Sequence, residues 1–433
     1  MFVTGRLAIL AALAALAALA VPGTSLVAVG LADLVILGVA AIDALAAPRP
    51  GTVSRERRHP PVASVGGEVE VTLHVTNPAG RPVRVAVRDA AVPSLAPDPR
   101  RPAALLRPGT GRISYRLRPR RRGLFELGPV TVRTWGSLGL AGRQATVDLR
   151  TELKVYPELR GRQQVEGRVR RSRLLEAGTR SARVRGGGLE FEALREYHPD
   201  DEFRRINWAA TARAGKPISN VYREERNQQV LLLLDAGRAM AGTIAGAPRF
   251  EHALDAAVAL ATLAVEVGDR VGTFAFDRRL RGSVPPRADR GQPGRIVDAL
   301  FEVEPAVVSS DLLGSVGGIL ARHRRRALLV LFTDLADEGG VEPLMRAVPV
   351  LARRHLVLLA EVTDPEVARL ARVFPSSADQ AFVKASAAGT EHRREQAARI
   401  LARSGVEVVD RPPGELALAL ADAYLRVKAF GRL

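Results

Sequence analysis

Two carboxylates and one charged segment hold the groups in this chain best suited to chemistry. Asp235 closes the apolar run Val230-Leu231-Leu232-Leu233-Leu234, and Asp334 follows the run Ala327 to Phe332, with Thr333 beside it and Asp337 nearby. Such runs form buried parallel strands, and open α/β sheets bind ligands beyond the carboxyl ends of their strands. The two aspartates are therefore expected together at one sheet edge despite their separation in sequence. Two carboxylates with water can hold Mg²⁺ weakly, because that ion takes oxygen ligands in near-octahedral order. The competing expectation is that both acids accept backbone amides at helix N-termini.

The charged segment contains Leu194-Arg195-Glu196-Tyr197-His198-Pro199-Asp200-Asp201 and then Arg204-Arg205-Ile206-Asn207-Trp208. It reads as a polar loop tied to the first strand of an α/β domain. Asp201 with Arg204 and Arg205 is expected to form a hydrogen-bonded ionic network with Trp208 buried behind it. The alternative is a recognition surface. Adjacent acids beside arginines make a charged turn more readily than an acid/base pair, so a hydrolase built on Asp201 lacks its partner groups. Gly186-Gly187-Gly188 is followed by no Lys-Ser/Thr, which argues against a P-loop. The 7 histidines show no His-Glu-x-x-His spacing, no Gly-x-Ser-x-Gly elbow is present, and with 0 Cys there is no thiolate site. The expectation is a protein without catalysis and without an obligatory cofactor.

The elements that position these groups follow from periodicity. Strands are expected at Val230 to Leu234, Arg270 to Phe276, Ala327 to Phe332, Leu356 to Glu361 and Val406 to Val409. Helices are expected near Arg249 to Val267, Arg295 to Val303, Leu312 to Arg322, Glu342 to Arg354, Pro365 to Val373, Glu391 to Ser404 and Gly414 to Lys428. Apolar strands separated by amphipathic helices require a parallel sheet covered on both faces. Arg160 to Arg185, rich in Arg, Gly and Ser, reads as an exposed linker. From Thr52 to Pro157 the pattern is short alternating runs such as Val69-Glu70-Val71-Thr72-Leu73, which predict an antiparallel β-sandwich. Arg120-Arg121-Arg122 within it reads as a solvated turn, or as a contact for lipid phosphates.

Leu7 to Val21 and Ser25 to Ala47 are apolar runs separated by Pro22-Gly23, and they predict a transmembrane helical hairpin. Arg6 precedes the pair and Arg49, Arg55, Arg57 and Arg58 follow it, which places both flanks, and the bulk of the chain, in the cytoplasm. Asp33 inside the second run is expected near the hairpin's interface or at a helix contact, with a proton or ion path as the alternative, and Asp43 at the membrane interface. At 433 residues the chain has room for two or three domains, and its net charge of +18 is mainly arginine. Composition bias explains that charge as well as a phosphate, lipid-head-group or nucleic-acid surface does. No aromatic interleaving of the single-strand binding kind occurs, so no nucleic acid is expected.

The ordered set Leu194-Arg195-Glu196-Tyr197, Pro199, Asp201, Arg204-Arg205-Ile206-Asn207-Trp208, Ala212-Arg213 and Glu224 resembles the signature of the bacterial family known as domain of unknown function 58. Arg120-Arg121-Arg122-Gly123 before Leu127-Gly128-Pro129-Val130 resembles it too, whereas Asp200 stands where the family typically has Gly. The resemblance implies a protein of the bacterial inner membrane with a von Willebrand factor A-like domain, working beside a MoxR-type AAA+ ATPase on a client protein that the sequence does not name. Metal-binding A domains end their first strand in Asp-x-Ser-x-Ser, and the matching positions here are Asp235, Gly237 and Ala239, so both hydroxyls are missing.

The expected architecture is thus α/β, with a von Willebrand factor A-like (Rossmann-like) doubly wound sheet at 229–433. A transmembrane hairpin at 1–50, a small antiparallel β-sandwich at 51–158 and a linker with the signature segment at 159–228 precede it. The expected function is a membrane-anchored interaction module. Its candidate interaction residues are Arg195, Glu196, Tyr197, Asp201, Arg204, Arg205, Asn207, Trp208 and Arg213, and its degenerate metal position is Asp235 with Asp334. The alternatives are a metal-dependent A-type adhesion domain and an arginine-driven binder of anionic groups.

Overall fold

The computed structural model describes residues 1–20, 26–50, 56–77, 79–90, 92–167, 189–198, 203, 206–224, 228–336 and 341–429. The expected network of Asp201, Arg204 and Arg205, the turn at Asp200, the glycines at 186–188 and Asp337 lie outside the described residues. The chain divides into two compact units, Met1–Glu158 and Leu159–Leu433.

The first unit opens with β1 (Phe2–Val3), α1 (Gly5–Ala20) and α2 (Leu26–Ala46), the two helices lying against each other. Leu10, Leu13, Leu16, Leu31, Leu34 and Leu37 point outward on this pair, and Val29–Ala46 is long and apolar enough to cross a membrane. Asp33 presents a shielded Oδ1 with no partner among the described residues. The strands that follow are β2 (Glu56–Arg58), β3 (Val62–Ser64), β4 (Val69–Asn77), β5 (Val83–Asp89), β6 (Ala103–Leu106), β7 (Gly109–Leu117), β8 (Gly123–Leu127), β9 (Val130–Trp135), β10 (Ala141–Val147) and β11 (Thr151–Tyr156). They form sheets ordered β1-β10-β9-β5-β6, β2-β4-β7 and β3-β11-β8. Period-two alternation sends Val69, Val71, Leu73 and Val75 of β4 and Val83, Val85 and Val87 of β5 into one shared core.

Two groups are more closely tied than the sequence suggested. The buried Asp43 carboxylate accepts the amides of Leu138 (2.8 Å), Leu140 (2.9 Å) and Ala141 (3.2 Å), fastening the end of α2 to the β9–β10 turn. A carboxylate that accepts several backbone amides is a satisfied structural group. Arg122 is buried, so the arginine cluster is not a wholly solvated turn.

The second unit begins with α3 (residues 160–167), so this stretch is helical rather than an exposed linker. Its Gly161 amide donates to the Asp255 carboxylate at 2.9 Å, and Val165 is buried. Next come β12 (Leu189–Glu196), α4 (Trp208–Ala214) and β13 (Ile218–Glu224), with β12 and β13 paired antiparallel. The segment expected to be a loop is therefore a two-stranded ribbon carrying a short helix. The main sheet and its helices are β14 (Gln229–Asp235), the small pair β15 (Thr243–Ile244) and β16 (Ala247–Pro248), α5 (Arg249–Val267), β17 (Arg270–Phe276), β18 (Leu280–Arg287), α6 (Gln292–Leu300), α7 (Leu312–Arg322), β19 (Leu328–Phe332), α8 (Val341–Ala352), β20 (Leu356–Val362), α9 (Pro365–Arg372), α10 (Ala378–Arg403), β21 (Glu407–Arg411) and α11 (Leu416–Ala429).

The sheet has six strands in the order β18-β17-β14-β19-β20-β21. It is mixed rather than all parallel, because β18 runs antiparallel to β17 at the edge. Helix α10 starts at Ala378, well before the expected Glu391. Leu231 and Leu233 of β14 pack with Leu329, Leu331 and Leu359 against Val316, Leu344 and Leu401, which come from α7, α8 and α10. Helix α5 packs on β14 and β17 beside α6 and α11. In strand order, β14 is first in the chain and stands beside the fourth, β19. The chain reverses its direction of progress there, the position at which such sheets open a crevice beyond their strand ends.

Candidate functional site

The register pairs Leu234 with Phe332, so Asp235 and Thr333 emerge side by side where β14 and β19 end. The Thr333 hydroxyl donates to Asp235 Oδ2 at 2.8 Å, while Asp235 Oδ1 accepts the Ser310 hydroxyl and the Gly237 amide, the latter at 2.8 Å. Asp334 Oδ1 accepts the Ala336 amide at 2.9 Å, and its Oδ2 pairs with Nη1 of Arg249. The same guanidinium nitrogen donates to the Ala239 carbonyl at 2.9 Å. Neither acid caps an α-helix as expected. Each instead turns back onto the amide two residues ahead, the Asx-turn geometry that short acidic side chains favour.

Glu361 completes the centre from the end of β20. It is 1% exposed, and its Oε1 accepts the Leu335 amide at 3.3 Å. Its Oε2 has no hydrogen-bond partner among the described residues. Burial, reinforced by the Asp334 charge, raises the Glu361 pKa well above the ordinary glutamate value, and Arg394 only partly opposes the shift. On the other side of β14, burial also works to raise the Asp277 carboxyl. The Arg279 amide (3.0 Å) and the Arg281 guanidinium (2.6 Å) nevertheless hold it below the usual range.

The oxygens of Asp235 and Asp334 are engaged by Ser310, Thr333, the Gly237 and Ala336 amides and Arg249. A Cβ at Gly237 would lie 2.1 Å from Ser310 Oγ and 2.8 Å from the Val308 carbonyl, so Ser310 fills the space that a side chain at 237 would need. Arg249 already neutralises Asp334 and reaches the backbone at 239, supplying as a side chain the positive charge a metal would bring. Arg249, Ser310 and Glu361 were not anticipated from sequence. The signal for Glu361 was available: a lone carboxylate in the apolar strand Leu356 to Val362. Arg249 opens α5 and Ser310 lies in the loop before α7, and their approach to the strand ends leaves no periodic trace.

The signature segment is built differently from the strand-end centre. Asn207 caps α4, accepting the Ala210 amide at 3.0 Å and donating to Asn220 at 3.0 Å. Glu196 pairs with Lys216 at 3.1 Å on the surface, Arg195 and Arg213 are exposed, and Tyr197 is half-buried. Trp208 is not buried. It is 61% exposed and meets Phe203, itself 67% exposed, edge-to-face with ring centroids 5.6 Å apart. Trp208 is the first residue after the helix cap.

Residues 193–398 match the family model described as protein of unknown function DUF58. An uncharacterized protein of Mycobacterium tuberculosis is 29% identical over 184 residues, 42% of this chain and 57% of that protein, and a Mycobacterium bovis protein matches equally. The chain thus covers little more than half the length of these relatives. Among solved structures, the conserved hypothetical protein BatB from Bacteroides thetaiotaomicron aligns with a TM-score of 0.31 at 14% identity, over 46% of this chain and 99% of that one. A Clostridium perfringens cohesin module aligns at 0.18 and 15% identity, over 25% of this chain and 98% of its own. Likenesses of that size carry no argument about fold or function.

Proposed function

We propose, from the match of residues 193–398 to the DUF58 family model, that the chain is a membrane-anchored, non-catalytic protein-interaction module. The observation that carries this reading is the exposed Phe203–Trp208 pair within the family segment. Large aromatic side chains left in water on a polar ribbon are characteristic anchors of protein interfaces. The anchor is the α1–α2 hairpin, supported by its outward leucines and by the span Val29–Ala46.

Within this reading the second unit is a von Willebrand factor A-like domain, the first a β-sandwich, and the partner a MoxR-type AAA+ ATPase acting on a client protein. The strand order with its antiparallel edge supports the A-like assignment, and the ATPase follows from the family resemblance alone. Asp235, Asp334 and Glu361 are each committed to internal hydrogen bonds, which favours a structural role for them over a catalytic one. The basic flanks support a cytoplasmic location for the bulk of the chain. Co-purification of the full chain from its native membrane tests the proposal. An AAA+ ATPase enriched with wild type supports it, and its absence under cross-linking contradicts it. Protease added outside spheroplasts should leave the chain after residue 50 intact, and external cleavage there would overturn the cytoplasmic placement.

A further inference from the structure

The outward face of the sheet β1-β10-β9-β5-β6 carries a basic and aromatic array that the proposed function does not use. Because Val83, Val85, Val87, Val130 and Val132 face the core, Arg84 and Arg88 on β5 and Arg133 and Trp135 on β9 face away from it. Val85 lies opposite Thr134, which makes Arg84 a neighbour of Trp135, and its guanidinium sits 5.1 Å from the indole centroid. Arg133 lies 5.0 Å from the Phe2 ring and donates to Gln144 at 2.7 Å. With Arg101 these groups border an open hollow of about 420 Å³. Its one acid, Asp89, is already committed to Arg57 at 2.8 Å and to the Tyr115 hydroxyl. Among the described residues Arg84, Arg88 and Arg101 have no carboxylate partner.

The same sheet is bolted to the end of α2. Arg143 donates to the carbonyls of Ala44 (2.9 Å) and Leu45 (3.2 Å), and Arg81 to that of Ala46 (2.9 Å). These contacts, with the three amides on Asp43, hold the start of the arginine array beside the last turn of the helix. Phe2 and Trp135 stack edge-to-face at 5.4 Å at that end. Arg84 and Arg88 are four residues apart on one strand, so the array extends about 13 Å from the helix end at roughly 3.3 Å per residue. If α2 spans the bilayer, Trp135 lies at the level where interfacial aromatics settle, and Arg84 and Arg133 lie among the headgroups.

We propose that this face binds the phosphates of anionic phospholipids, with Arg84, Arg133 and Arg101 as guanidinium donors and Trp135 against the glycerol region. The inference rests on reading α2 as a membrane span. The test uses the full chain with Trp208→Phe, which leaves Trp135 as the sole indole of the 2 in the sequence. The protein is placed in phosphatidylcholine vesicles holding a minor fraction of brominated phosphatidylglycerol or, in parallel, brominated phosphatidylcholine. Brominated phosphatidylglycerol should quench Trp135 at least about twofold more strongly, given the attraction of each arginine to an anionic surface. The preference should vanish in Arg84→Gln/Arg133→Gln at an unchanged thermal midpoint, and millimolar inorganic phosphate should not compete. Equal quenching by the two lipids, or a preference that survives the double variant, overturns the site. Full competition by inorganic phosphate overturns the lipid assignment in favour of a free phosphate. Failure of the chain to float with plain phosphatidylcholine vesicles would instead overturn the anchor, a distinct outcome.

Discussion

Arg249 and Asp334 form an ion pair across the ends of β14 and β19, their side chains 16% and 8% exposed. Arg249 opens α5 and also holds the Ala239 carbonyl, so one side chain joins the loop after β14, the first turn of α5 and the loop after β19.

Removing one partner of a buried pair leaves the other charge unpaired in a poor solvent for it. Arg249→Ala should therefore cost about 3 to 5 kcal/mol, a fall on the order of 10 °C in the thermal midpoint of the second unit. Asp334→Asn should cost less, because Glu361 then loses a negative neighbour. A midpoint for Arg249→Ala within about 1 °C of wild type would show that the pair contributes no more than a surface one.

Glu361 sets a pH dependence of definite sign. Its folded pKa is raised above the unfolded value by burial and by Asp334. The folded state therefore holds a proton that the unfolded state releases, and this contribution to stability is complete below the unfolded pKa and declines as pH rises toward the folded one. Glu361→Gln, which removes the titrating group, should gain on wild type as pH rises above the unfolded glutamate value. Thermal midpoints from acid to neutral pH check it, and parallel profiles for the two proteins would contradict the raised pKa.

The strand-end positions of Asp235 and Asp334 were legible because each apolar run stops abruptly at a polar residue. What held them was not. Ser310 and Arg249 reach the centre through tertiary geometry, and the carboxylate in β20 can be told from a surface residue only once both faces of that strand are covered. β18 was hidden because its sequence contains Pro285 and Pro286, residues that signal a break and are tolerated only at a sheet edge. The first half of α10 was hidden for another reason. Only Ala387, Ala397 and Leu401 of that helix are buried, so it shows no apolar stripe, and its one local mark is Ser377 capping the Gln380 amide. Trp208 was misread because an apolar residue beside arginines suggests a core, whereas a residue just past a helix cap can as easily face outward.

Mg²⁺ should change the thermal midpoint little or not at all, since a ligand stabilises only in proportion to its occupancy. A shift of several degrees that Asp334→Ala abolishes would reveal a working site. Gly237→Ser should not create one. Its Cβ would press on the Val308 carbonyl at 2.8 Å as well as on Ser310 Oγ at 2.1 Å, so destabilisation of about 1 to 3 kcal/mol is expected instead.

The central claim is that the Phe203–Trp208 pair is a recognition surface and not part of a core. The most direct measurement is the affinity of the full chain for the proposed AAA+ ATPase partner, with wild type and Trp208→Ala compared alongside their thermal midpoints. The account predicts at least about a 30-fold loss of affinity, the scale of an interface anchor, at an unchanged midpoint. An unchanged affinity, or a lost affinity accompanied by early unfolding, would contradict it.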